Sequence, residues 1–186
     1  MSNIKKNLSM ITRTSLTGLF CLFMSFPTLA KESQQIFEAG LSAFRSGDTI
    51  AALSHWQVAA SMGNENASFN LGLLYAKGQG VKQDWETAHT LFIEASRFNH
   101  NLATFSLAIM YLKGQGVQPN LTTAYLWANL AANRNHETSR KLRDDIAKRL
   151  TPDQLIDANK IVHNCGPRTV DPQQFDSYVA CISENR

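Results

Sequence analysis

The sequence predicts an all-α protein of stacked helix–turn–helix repeats, and three features of it point there. Leu71-Gly72-Leu73-Leu74-Tyr75-Ala76-Lys77-Gly78-Gln79-Gly80-Val81 returns as Leu107-Ala108-Ile109-Met110-Tyr111-Leu112-Lys113-Gly114-Gln115-Gly116-Val117, at an offset of 36 residues. Apolar residues recur at helical spacing before each Gly-x-Gly, and again after it over Trp85 to Arg97 and Thr122 to Asn133. Small residues keep the same offset, Ala67 with Ala103, Ala88 with Ala124 and Ala95 with Ala131. Self-similarity at a fixed period of this length marks units that bury their apolar faces against one another.

The chain opens with Lys5, Lys6 and Arg13, then an apolar block from Ser15 to Phe26, then Pro27-Thr28-Leu29-Ala30. This is the order of a secretory signal peptide, with Thr28 and Ala30 as the small residues before the cut, so residues 1–30 are expected to be removed after Ala30. The block falls short of the roughly 20 apolar residues that span a bilayer. Phe20 stands where a lipid-modified Cys21 would need a small residue. No later stretch is long and apolar enough to insert stably in a membrane once the signal is gone. The three leader cations account for the whole formal charge of +3. Residues 31–186 are therefore neutral, one ordinary domain without the net field that draws a phosphate backbone, which argues against a general nucleic-acid binder.

Within that domain, residues 64–99 and 100–135 make one unit each. In both, the first helix must stop and the chain reverse through positive φ, and Gly78, Gly80, Gly114 and Gly116 meet that need. A phosphate-binding loop does not fit these glycines: no strand precedes them, no third glycine follows at the required spacing, and the duplicate occupies the same slot. Tyr75 and Tyr111 are expected to fill the space between neighbouring helices.

The pattern A-x3-LGxLYxxGxGVxxDxxxAxxxFxxA over residues 67–95, ending in Asp84, Ala88, Phe92 and Ala95, resembles the Sel1-like repeat, a close relative of the tetratricopeptide repeat. Residues 103–131 match it with Ala108 at the glycine and Asn120 at the aspartate. Upstream, Gly40, Gly47-Asp48, Ala52, Trp56 and Ala59 make residues 34–63 resemble a shorter tetratricopeptide unit whose loop lacks the extra Gly-Val segment. The resemblance covers residues 34–135. It implies a right-handed α-solenoid that binds another protein or peptide.

A solenoid cannot end on a bare apolar face, so a cap is required. Residues 136–164 are expected to supply it. Glu137 to Leu150 reads as a polar helix with Arg140/Asp144 and Lys141/Asp145 at i,i+4. Thr151-Pro152-Asp153-Gln154 starts another, with Thr as N-cap, Pro at N1 and Gln reaching back from N3; this stretch also resembles the helix that often closes Sel1-like arrays. A last short helix from Asp171-Pro172 would carry Cys181 back towards Cys165 in the tail, residues 165–186. Cys21 leaves with the signal, and an exported chain left with two thiols most often pairs them. A Cys165–Cys181 bond would stabilise the fold by about 3 kcal/mol in the chain-entropy model. A catalytic Cys165 would need a reducing compartment and a base, and sequence does not place His163 as that base.

No cofactor or metal site emerges. His55, His89, His100, His136 and His163 have no i,i+4 partner, and the cysteines lack metal-type spacing. Some cysteine-rich relatives implied by the resemblance are penicillin-binding or weakly β-lactamase-active, but they carry paired cysteines within each repeat and this chain does not. The serine β-lactamase motifs are absent as well, so the chain is read as non-catalytic, a cell-envelope enzyme being the lesser alternative.

Tetratricopeptide geometry, carried over by the resemblance, puts one face of each first helix on the concave side. Phe37, Phe69 and Phe105 then form one ladder, Leu41, Leu73 and Ile109 a second, Phe44, Ala76 and Leu112 a third, and Arg45, Lys77 and Lys113 a basic fourth. An apolar strip beside a basic row suits a peptide that inserts apolar side chains and points a carboxylate at the basic end. The same stripes arise if the aromatics only pack between neighbouring helices and the cations only face water. The expectation is a binding module in the periplasm, with a secreted, host-engaging factor as the alternative.

Overall fold

The structure, a computed structural model, describes residues 28–134, 136–165 and 172–184. The signal-peptide reading lies almost wholly outside the described residues, and residues 28–30 open the first helix. Among the described residues there are nine helices and no strand. They are α1 (28–45), α2 (Thr49–Ser61), α3 (Glu65–Lys77), α4 (Trp85–Arg97), α5 (Asn101–Lys113), α6 (Leu121–Asn133), α7 (Glu137–Ala147), α8 (Pro152–Cys165) and α9 (Pro172–Glu184).

Local chemistry sets these boundaries. Asp48, Asn64, Asp84, His100 and Asn120 each accept a hydrogen bond from a backbone N–H in the first turn that follows, removing an otherwise orphaned donor. Asn120, where the repeat pattern has aspartate, still caps α6 through Thr123 N at 2.9 Å. Gly78 and Gly114 end α3 and α5 in the left-handed region, at φ 66° and 69°. Gly80 and Gly116 share that conformation. Gln79 N then reaches Leu74 O at 3.0 Å and Asp84 N reaches Tyr75 O at 2.9 Å; one repeat on, Gln115 N reaches Met110 O and Asn120 N reaches Tyr111 O at the same two distances. Tyr111 is buried and Tyr75 half-buried.

The pairs α1–α2, α3–α4 and α5–α6 stack in order, each second helix lying between its own first helix and the next unit's. Zero-exposure alanines at the repeat positions, Ala52, Ala88 and Ala124 among them, let the helices approach. Two apolar clusters result. One holds Phe37, Trp56, Ala59, Leu71 and Leu74. The larger runs from Ala76 through Phe92, Leu107 and Trp127 to the C-terminal helix. Arg134 pins α4, α5 and α6 together, its Nη1 donating to Ser96 O and to Thr104 Oγ1 at 3.1 Å each. Burial pulls that guanidinium down to about 10.

Beyond the repeats, α7 and α8 pack on α6. Thr151 and Gln154 form the reciprocal capping box: Thr151 N donates to Gln154 Oε1 at 3.0 Å and Gln154 N to Thr151 Oγ1 at 3.2 Å. The acids of α7 choose partners other than those spacing suggested. Asp145 pairs with Lys148 at 2.9 Å, and Asp144 is held by the adjacent Arg143 at 2.8 Å. α9 folds back onto α8 and α4. Its Phe175 and Tyr178 pack on Trp127, and Tyr178 Oη donates to Leu126 O at 3.0 Å. Asp176 meets Arg97 at 2.9 Å. Cys165 and Cys181 are bonded, with Cα atoms 6.3 Å apart. Burying Phe175 and Ile182 contributes roughly 1.5–3 kcal/mol each.

Candidate functional site

The first helices present two clefts, one on each side of α3. Between α1 and α3 lies a cleft of about 230 Å³ lined by Leu41, Phe44, Trp56, Asn70, Leu73 and Lys77. Between α3 and α5 lies one of about 240 Å³, its walls including Leu73, Lys77, Trp85, Phe105, Ile109 and Gln115. Leu73 and Lys77 line both, so the clefts are neighbours in one groove.

The leucine–isoleucine ladder therefore lies in the groove: Leu41, Leu73 and Ile109 are half-buried and line it. The aromatic ladder divides. Phe37 is buried against Trp56, ring centroids 6.5 Å apart, and belongs to the first core cluster. Phe69 is half-buried and stacked on the His100 imidazole at 4.3 Å. Phe105 lines the second cleft and meets His136 edge-on at 5.5 Å. Phe69 and Phe105 thus tie each first helix to the N-cap of the next unit's. In the third ladder, Phe44 is exposed, Ala76 buried, and Leu112 half-buried against the larger core. Arg45, Lys77 and Lys113 are exposed, and none enters an ion pair among the described residues.

His100 does two jobs at this border. Its Nδ1 accepts from Ala103 N at 3.1 Å, so the imidazole must be neutral there, and burial against Phe69 lowers its pKa while nearby Glu65 opposes the shift. The groove also holds amides that the apolar reading passed over. Asn70 and Gln79 line the first cleft and Gln115 the second. The repeat offset could have found them, since Gln79 maps to Gln115 and Asn70 to Ser106, a further wall of the second cleft.

Among the described residues no group of three His, Cys, Asp or Glu side chains could hold a metal, and no helix is long and apolar enough to cross a membrane. The family model of the Sel1 repeat matches residues 29–64, 66–97 and 101–136, more than half of the chain. The chain is a Sel1 repeat protein. Its first unit, whose short loop resembles a tetratricopeptide unit, is matched as a Sel1 repeat along with the other two. Among solved structures, this Sel1 repeat protein is similar to c5321, a protective antigen present in uropathogenic Escherichia coli strains displaying an SLR fold. The TM-score is 0.66 at 24% identity, covering 82% of this chain and 32% of that one. The chain thus spans about a third of c5321. It is also similar to a Sel1 repeat protein from Oxalobacter formigenes, with a TM-score of 0.57 at 26% identity over 66% of this chain and 97% of that one. No curated protein matches it. Sel1 repeats generally serve as non-catalytic scaffolds for protein–protein interaction.

Proposed function

We propose that this Sel1 repeat protein is an exported, non-catalytic binding module that takes a peptide segment of a partner protein in the groove of its first helices. The observation that carries this is the continuity of the groove: two clefts on equivalent faces of successive units share Leu73 and Lys77. Repeat scaffolds bind through such extended surfaces, built by repeating one face. The signal-like leader and the Cys165–Cys181 bond support an oxidising compartment, and the periplasm is the one proposed.

Photo-crosslinking tests the reading. A photoreactive side chain at Ile109 or Lys77 is expected to capture a discrete partner in the periplasmic fraction, whereas one at Val58, exposed on a second helix, captures none. Equal capture from Val58 would overturn the groove. Recovery of the protein in culture supernatant instead of periplasm would reassign it as secreted.

A further inference from the structure

We infer that the Cys165–Cys181 bond is an exchangeable latch and not a fixed staple: a thiolate borne on a peptide enters an open hollow between α6 and α8, takes Cys165 into a mixed disulfide and frees α9.

Access comes first. Gln154, Asp157, Ile161, Asn164 and Cys165 recur at helical spacing along one face of α8, and with Thr122 of α6 they line a hollow of about 410 Å³. Its size is that of a small-molecule site, roughly 300–1,000 Å³. Cys165 is half-buried and stands in the wall of this hollow, so an attacking sulfur can reach the bond from that side. Disulfides open to attack are the labile ones, whereas structural ones resist reduction. Around Cys165 the lining offers a threonine hydroxyl, two side-chain amides and the Asp157–Lys160 ion pair, closed at 2.9 Å. These supply both donors and acceptors to the peptide groups that flank a cysteinyl thiol.

The exchange conserves electrons. The entering sulfur bonds to Cys165 Sγ, the Cys165–Cys181 bond breaks, and Cys181 departs as a thiolate that takes a proton from water. One disulfide replaces another. A dithiol partner goes further, because its second thiolate displaces Cys165 and the partner ends as the oxidised species.

What departs is a helix with a limited hold. α9 presents Phe175, Tyr178, Val179 and Ile182 at i, i+3, i+4 and i+7; Val179 is half-buried and the others are buried. Its 13 residues are marginal as a free helix, so the seat depends on that stripe, the Tyr178–Leu126 bond, the Asp176–Arg97 pair and the disulfide. The seat is also flawed. Trp127 Nε1 on α6 and Arg97 Nε on α4, on the two residues that α9 meets there, are buried with no hydrogen-bond partner among the described residues. A buried donor left unpaired is costly and regains a partner once water reaches it, so both atoms favour release when the bond is gone.

The test uses the disulfide-bonded protein and reduced glutathione, a peptide thiol. At early times, after quenching with N-ethylmaleimide, peptide mass spectrometry is expected to find glutathione on Cys165 and maleimide on Cys181. Asn164→Trp, at an exposed position in the wall, should slow this step at least about tenfold in the native protein and leave it unchanged in urea, because the rate follows access. Circular dichroism confirms its fold. A variant with both Cys165→Ser and Cys181→Ser reports the release: amide exchange across α9 should rise at least about tenfold while α3 to α6 keep their protection. Glutathione found first on Cys181, no reaction short of unfolding, or an equal native rate for Asn164→Trp would overturn entry through the hollow. Amides of α9 as protected without the bond as with it would overturn the latch.

Discussion

Gly72 lies so close to Phe92 that a Cβ placed on it would stand 2.5 Å from the ring's Cε1. The relationship recurs in the first unit, where a Cβ on Gly40 would stand 2.5 Å from Trp56 Cδ1. In the third unit the corresponding residues are Ala108 and Ala128, both fully buried. The departure from glycine at Ala108 therefore coincides with loss of the ring across from it. Gly72→Ala is expected to destabilise by about 1–3 kcal/mol through overpacking, less the 0.5–1 kcal/mol that alanine gains in a helix. Phe92→Ala alone should cost about 3–5 kcal/mol, and the double variant clearly less than the sum. Urea denaturation of the four proteins reads the coupling, and additivity would show that the two sites do not meet.

A second prediction separates two costs of replacing glycine. Gly63 and Gly116 both hold positive φ, but a Cβ on Gly63 meets nothing within 4 Å, whereas one on Gly116 would stand 2.5 Å from Trp85 Cβ and 2.7 Å from its carbonyl carbon. Gly116→Ala should lower the melting temperature more than Gly63→Ala, because it adds a clash with the preceding unit's backbone to the conformational strain. Equal shifts would mean that the interface yields freely.

The His100 imidazole gives a pH dependence with a definite sign. Burial holds its folded pKa below the ordinary value of about 6.5, so between the two values the unfolded chain binds more protons. The stability from neutral His100 is complete above about pH 6.5 and declines as pH falls towards the lower folded value. Asn64 caps the preceding unit's first helix in the same way without titrating. His100→Asn should therefore flatten this part of the profile, as read from urea midpoints between pH 8 and 5. An unchanged slope would place the titration elsewhere.

The tail supplies the fourth prediction. Non-reducing mass spectrometry of the native protein should show a mass about 2 Da below the reduced form, two hydrogens having left on oxidation. Reduction should destabilise by about 2–4 kcal/mol. Tyr178→Phe, which leaves the Leu126 carbonyl without its donor, should cost about 1–3 kcal/mol in the oxidised protein. A neutral effect would show that the carbonyl finds another partner.

Much of the fold is legible because it repeats. α4 runs from Trp85 to Arg97 as the apolar spacing predicts, and the capping box at Thr151 and Gln154 forms because its three-residue reach is local. The ion pairs of α7 were not legible, since exposed pairs worth under about 1 kcal/mol do not discriminate between neighbouring partners. Nor was the seat of α9: the bond from Tyr178 to Leu126 joins residues 52 apart, and no period announces it. At the site, the ladder of Leu41, Leu73 and Ile109 needed both the aligned units and the tetratricopeptide geometry that the resemblance implies, which chooses the face. Phe37 shares the register of Phe69 yet is buried, because the indole of Trp56 covers it. Asn70 and Gln115 look in sequence like ordinary surface amides; the repeat offset pairs them with Ser106 and Gln79, and the stacking of helices puts them at the clefts.

The return of α9 gives the molecule a hard end and a soft one. A linear array frays from both termini, but here the last helix clasps α4 in the middle of the stack, so the C-terminal units can open only by releasing one another. The first unit is held by the smaller core, which it shares with Ala67, Leu71 and Leu74 of α3, and has no such clasp among the described residues. Native-state hydrogen exchange should therefore run fastest in α1 and α2. A ligand lying across both clefts would splint that soft unit to the rigid body, turning recognition into stiffening far from the disulfide.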